Sequence, residues 1–305
     1  MKLIVTTTIN PPTEALIKFS NLPNWTLIVV GDKRTPHGAF EDLNCLYLSP
    51  EDQEREFPKL SNLLGWATVQ RRNIGFLKAL EMGAEVVATV DDDNVPLSSW
   101  GENLIVGNKT SLTSFSPKEV FDPLSQTNYP HLWHRGFPIQ LLSDRDADID
   151  TEEILVDVEA SFWNGDPDID AICRMEHAPD CTFDATPFPF TSPRLGPFNS
   201  QNTFITRQWL KEYFMFPFVG RMDDIWGSYL LQARGARVAY SAASVKQVRN
   251  EHDLTKDFKL EVIGYENTLD LIRALSKNPE NIREFVGAAS YCAYEEYRDI
   301  ANSLG

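Results

Sequence analysis

Short apolar runs alternate with amphipathic stretches along the first hundred or so residues. Residues 2–8, KLIVTTT, are apolar and β-branched, the pattern of a strand covered on both faces. PPTEALIKFS follows, with proline at the opening of a helix. WTLIVVGD (25–32) predicts a second strand that runs into the polar turn GDKRTP, and CLYL (45–48) a third. From Thr68 to Gly83 the residues Ile74, Leu77 and Leu80 recur at helical spacing, and Gly83 supplies a C-cap. AEVVATV then returns to a strand. Strands alternating with helices predict an α/β fold with a mostly parallel central sheet.

The pattern loosens over residues 111–200, which are rich in proline, asparagine and aromatic residues and predict long loops with short strands. ITRQWLKEYF (205–214) and DDIWGSYLLQARG (223–235) read as helices and ARVAYSA as a strand. Two further helices are predicted in the last fifty or so residues, in KLEVIGYENTLDLIRAL and PENIREFVGAASYCAYEEYRDIA. Residues 1–255 are expected to form one domain, with 1–110 and 111–255 as its two halves. Residues 256–305 would be its helical extension.

Charge narrows the partners. The 305 residues carry 28 Lys plus Arg against 44 Asp plus Glu, a net charge of −16, and no basic run offers a face to nucleic acid or an anionic membrane. No apolar run reaches membrane-spanning length. Cys45, Cys173, Cys181 and Cys292 are widely spaced and form no CxxC pair, which fits free thiols and a cytoplasmic location.

The candidate chemistry begins at Asp91-Asp92-Asp93, directly after the strand AEVVATV. Sites in parallel sheets form at the carboxyl ends of strands, so Asp32, Asp91 and Asp93 are expected along one crevice. Side chains at i and i+2 of extended backbone share a face, so Asp91 and Asp93 point together while Asp92 turns away. Two carboxylates on one face suit Mg²⁺ or Mn²⁺ held jointly with phosphate oxygens. Arg71 and Arg72 open the helix just upstream, where backbone amides and an arginine favour a phosphate or ribose. Asp223 and Asp224 open another helix in GRMDDIW, where a carboxylate can act as general base, and Trp226 offers a flat face to a sugar. His252 is a candidate third metal ligand. DRDADIDTEE (144–153) imitates a calcium loop but has Ile149 at position six and Leu155 at position twelve, so it reads as a solvated acidic loop.

GDKRTP, RRNIGFLKALEMGAEVVATVDDDN and HRGFP resemble the glycosyltransferase-like domain of the STELLO family. VDDDN, FWNGDPDIDA, GRMDDIW and a late histidine resemble the plant reversibly glycosylated polypeptides, the UDP-arabinopyranose mutases, which carry cysteine where this chain has Asn94. Both groups are GT-A-like nucleotide-diphospho-sugar transferases. The resemblance implies a GT-A-like, Rossmann-like fold using Mn²⁺ or Mg²⁺, with 1–255 as the catalytic domain, 1–110 as its nucleotide-binding half and 111–255 as its sugar and acceptor half. Asp91, Asp93 and His252 would hold the metal. Thr7, Asp32, Arg71, Asp91 and Asp92 would lie on the nucleotide side. Arg221, Trp226 and Trp163 would face sugar and acceptor, with Asp224 favoured over Asp223 as the catalytic carboxylate. The implied activity is metal-dependent sugar transfer from a nucleotide-diphosphate donor, UDP-linked by expectation, to an unidentified acceptor. The alternatives are a UDP-sugar ring mutase and a non-catalytic sugar-nucleotide-binding or assembly protein. A homo-oligomer is compatible with each.

Overall fold

A computed structural model describes residues 1–247 and 253–304. Among them, eleven strands form one sheet. In chain order these are β1 (Lys2–Thr8), β2 (Trp25–Gly31), β3 (Cys45–Leu48), β4 (Val86–Val90), β5 (Asn94–Pro96) and β6 (Lys109–Pro117). They continue with β7 (Ala147–Leu155), β8 (Val158–Gly165), β9 (Phe190–Thr191), β10 (Asn202–Thr206) and β11 (Val238–Gln247). The helices are α1 (Glu14–Ser20), α2 (Pro50–Glu56), α3 (Pro58–Leu64), α4 (Arg72–Glu81) and α5 (Ala171–His177). After them come α6 (Arg207–Leu210), α7 (Asp223–Ala233), α8 (Leu254–Leu275) and α9 (Arg283–Ser303).

The sheet order is β3-β2-β1-β4-β10-β8-β11-β9-β6-β7, with β5 paired to β11. The first four strands are mutually parallel. β10 runs antiparallel to both β4 and β8, and β11 is parallel to β8. The arithmetic of direction is decisive. β1, β2, β4, β8 and β11 all end at one edge, and β10 begins there. Their end segments, which run from Thr8 to Gln247 along the chain, therefore converge on one crevice, as open α/β sheets do at their carboxyl ends.

Burial explains the strand choices. Leu3, Ile4 and Val5 of β1 and Leu27 to Val30 of β2 are at most 1% exposed, which is why these runs do not alternate. α4 presses on them through Gly75, where a β-carbon would collide with methyls of Val5 and Val30. That close approach brings the start of α4, with its two arginines, to the sheet edge.

Three expectations are corrected. Residues 205–214 are not one helix: β10 runs to Thr206, and α6 lasts four residues. Ile205 pairs with Val87 on β4, so its β-branched side chain completes the buried sheet, and Tyr213 to Phe216 are buried core rather than one helical face. The 144–153 segment contributes most of β7, which pairs with β6 over nine residues and forms the outer edge of the sheet. Its carboxylates face solvent on an edge strand, where charge discourages pairing with another chain. The 111–200 region holds this long hairpin and the buried β8 as well as loops. α2 and α3, between residues 50 and 64, were not anticipated. No helix among the described residues is long and apolar enough to cross a membrane. The four cysteines are free thiols.

α7 carries the acidic pair and is seated by another close approach. A β-carbon at Gly227 would strike the backbone carbonyl oxygen of Phe214, which cannot rotate aside. Gly227→Ala should destabilise the fold by about 1–3 kcal/mol through overpacking, read as a lower urea midpoint at unchanged slope. An unchanged midpoint would mean that α7 slides freely on this loop.

Candidate active site

Two adjoining cavities open at the convergent strand ends and share Val69, Asp91 and Asp93 in their walls. The larger, about 380 Å³, lies over β1 and β2 and is walled by Thr7, Asp32, Arg34, Ala67 and Arg72 among others. The smaller, about 240 Å³, reaches Gln70, Ser200, Arg221, Asp223 and Asp224. Together they have the volume of a small-molecule site with two compartments. Asp32 belongs to the first: its Oδ2 accepts from the Ala67 amide at 2.7 Å, and its Oδ1 from the Arg34 amide at 3.3 Å.

A buried chain of polar contacts sets the wall between them. Arg72, 1% exposed, donates from Nη2 to Asp91 Oδ1 at 2.7 Å and to Thr7 Oγ1 at 3.2 Å. Its Nη1 donates to the Ser200 carbonyl at 2.8 Å. Ser200 in turn donates its amide to Asp224 Oδ2 at 2.9 Å and its hydroxyl to the same oxygen at 3.1 Å. Arg135 closes the chain. It forks onto Asp168 at 2.8 and 2.9 Å and reaches Asp224 at 3.1 and 3.3 Å, and it also donates to the Arg221 carbonyl.

These contacts decide which of two adjacent arginines meets the aspartate triplet. Arg71 lines the larger cavity, yet its guanidinium donates to Gln53 at 2.7 Å, Ser61 Oγ at 2.8 Å and the Gly65 carbonyl at 2.6 Å, and it stacks on Trp66. Its donors are committed to holding α2 and α3. Arg72 is the arginine that touches an aspartate of the triplet.

The two carboxyls of α7 have opposite surroundings. For Asp224, burial pushes the pKa up, but the Arg135 guanidinium and the Ser200 amide outweigh it and hold it below the usual value. Both of its oxygens are occupied, so it is an anchored anion. Asp223 is 6% exposed and accepts a 2.7 Å bond from Gln70 Nε2. Burial first, and then the charge of Asp224, raise its pKa to about 7. Neighbouring carboxyls pushed apart in this way are the arrangement of an acid–base site. Of the two, Asp223 rather than Asp224 has the carboxyl whose pKa lies near neutral pH.

Asp92 turns away from this wall. Its Oδ2 accepts from Thr8 Oγ1 at 2.5 Å and Asn10 Nδ2 at 3.1 Å, and it lines only the larger cavity. Asp91 and Asp93 line both. Asp91 keeps 26% of its side-chain surface, and its carboxyl is raised by burial against the pull of Arg72. No cluster of three or more His, Cys, Asp or Glu suited to a metal occurs among the described residues. Two carboxylates on a cavity wall still fit Mg²⁺ or Mn²⁺, which are commonly held by one or two carboxylates plus substrate phosphates. His252 lies outside the described residues.

Two tryptophans sit elsewhere. Trp226 is fully buried, its Nε1 donating to Thr268 Oγ1 on α8 at 3.0 Å, so it seats α7 rather than facing a ligand. Trp163, 3% exposed, packs against His134 and Phe162 away from both cavities. Arg221 does line the smaller cavity, held by Glu261 at 2.8 Å and Asp257 at 3.3 Å. Gln70, Arg135, Asp168 and Ser200 were not singled out from sequence. HRGFP and FWNGDPDIDA contain two of them, but nothing local says that an arginine at 135 forks between residues 168 and 224.

Asp223 carries a cost that pH exposes. Its pKa rises from an unfolded value of about 3.9 to about 7, so the native state binds the extra proton and stability falls as pH rises through this window. Asp223→Asn removes that loss. The variant should gain on the wild type progressively from pH 4 to 7, by a few kcal/mol at pH 8, in denaturant titrations. A stability difference independent of pH would contradict the raised pKa.

No protein-family model and no curated protein matches the sequence. Among solved structures the chain is similar to glucosyl-3-phosphoglycerate synthase from Mycobacterium tuberculosis in complex with phosphoglyceric acid. The identity is 12% and the TM-score 0.46, over 88% of this chain and 80% of that one.

Proposed function

We propose that this protein is a GT-A-like glycosyltransferase that moves a sugar from a nucleotide-diphosphate donor, UDP-linked by preference, to an acceptor hydroxyl. One observation carries the reading. Asp91 and Asp93 line the boundary of two adjoining cavities, and a carboxyl with a pKa of about 7, Asp223, lines the smaller one. A pure binding site has no need of a carboxyl kept near half-ionised at neutral pH.

In this reading the nucleotide occupies the cavity of Thr7, Asp32 and Asp92, and the sugar and acceptor occupy that of Arg221 and Asp223. Asp91 and Asp93 would hold Mn²⁺ or Mg²⁺ together with the diphosphate, with His252 as a candidate further ligand. When bound, the cation neutralises negative charge on the leaving diphosphate. Asp223 takes the proton of the acceptor hydroxyl as that oxygen bonds to the anomeric carbon, and the bond to the diphosphate oxygen breaks. This is the inverting course. Asp224 stays ionised beside Arg135 and keeps Asp223 from ionising too readily. Residues 1–255 form the catalytic domain. The extension from 256 supports it, since Asp257 and Glu261 on α8 hold Arg221.

Thermal melts with UDP test the binding half. UDP at a hundred times its Kd should stabilise by about 2.7 kcal/mol with Mn²⁺ present, and far less with chelator. Asp93→Asn should abolish the metal-dependent part and Asp92→Asn should weaken it less. Equal shifts with and without chelator would overturn the metal-bridged site.

Product analysis with Mn²⁺ and a panel of nucleotide sugars and simple acceptors tests the chemistry. Asp223→Asn should retain UDP binding and lose about 10²–10⁴ in turnover. Wild-type turnover in that variant removes Asp223 as the base, and a ring-isomerised donor as the product would make the enzyme a mutase.

A further inference from the structure

Gln70 is the residue of the nucleotide half that touches the α7 carboxyl pair. It sits in the turn Val69–Arg71 that precedes α4, 8% exposed, and bonds Asp223 across 153 positions of sequence. Both groups line the smaller cavity, while Val69 and Arg71 of the same turn line the larger. An amide N–H donates to an ionised carboxylate and cannot donate to an oxygen that carries the proton in the same direction. We infer that Gln70 is a positioning residue: by holding Oδ2 of Asp223 it leaves Oδ1 as the oxygen that accepts and releases the proton, and it favours the ionised form. This rests on Asp223 as the base of the proposed transfer.

The other charged groups around Asp223 are fixed by different elements. Asp224 follows it on α7, and Arg135 approaches from the segment between β6 and β7. Arg221 lies in the turn before α7, and Asp91 and Asp93 follow β4 on the same cavity wall. Asp224 opposes ionisation of Asp223 and Arg135 favours it. Gln70 is a neutral side-chain donor to Asp223, beside the backbone amide of Asp224, so its removal changes hydrogen bonding without changing net charge.

The test follows the carboxyl itself. In protein labelled with ¹³C at the aspartate side-chain carboxyl, the Asp223 resonance is assigned by its loss in Asp223→Asn and titrated from pH 4 to 9. Gln70→Met keeps the volume and removes the donor, and it should raise the Asp223 midpoint by about one unit, a tenfold change in proton affinity. Gln70→Glu adds a like charge and should raise it further, and it decides the matter if the methionine variant does not fold. Midpoints unchanged in the folded variants overturn the role of Gln70. Once a donor and acceptor are known, the acid limb of kcat/KM should move with the midpoint in Gln70→Met, whereas a residue of structural importance alone would lower activity without moving the limb. If the carboxyl titrates as stated but no nucleotide sugar is turned over, Gln70 stands and the transferase reading falls.

Discussion

The site depends on two buried arginines. Arg72 and Arg135 each lie at most 5% exposed, and a guanidinium so placed must find carboxylates and carbonyls or be lost to desolvation. Their partners come from β1, the end of β4, the loop before β10, the loop after β8 and the start of α7. Ser200 joins the two, accepting from Arg72 and donating to Asp224. Breaking either arginine would leave buried carboxylates unpaired, so the same contacts that seat the crevice walls also set their charges.

That constraint divides the labour among four carboxyls. Asp91 gives one oxygen to Arg72 and keeps surface towards the cavities. Asp168 and Asp224 compensate Arg135. Asp223 bonds to a neutral amide rather than to a guanidinium, and burial raises its pKa to about 7. The protein thereby tolerates an ionisable group that weakens the fold at neutral pH, a trade that stability alone would not select.

Much of the fold was legible locally. β1, β2 and α7 fall where apolar runs and acidic helix starts placed them, because strands buried on both faces and helices opened by carboxylates declare themselves within a few residues. Residues 205–214 and 144–153 misled for the opposite reason. The first takes its strand from pairing with β4, a partner more than a hundred positions away, and the second from pairing with β6 at the sheet edge. Periodicity cannot report a partner.

The site divides along the same line. Sequence alone placed Asp32 and Asp91 to Asp93 at strand ends, but Asp92 parts from its neighbours in a turn closed by the Asn94 amide on the Asp91 carbonyl, not in the extended backbone that sequence predicted. Tertiary structure decided which arginine of Arg71 and Arg72 faces the triplet, which carboxyl of Asp223 and Asp224 is anchored, and that Trp226 is core. Those outcomes depend on what lies opposite each side chain: Gln53 and Ser61 for Arg71, Arg135 for Asp224, Gln70 for Asp223 and Thr268 for Trp226. Residue type fixes what a group can donate or accept, but only folding brings the partner and removes the water, and the pKa follows from both.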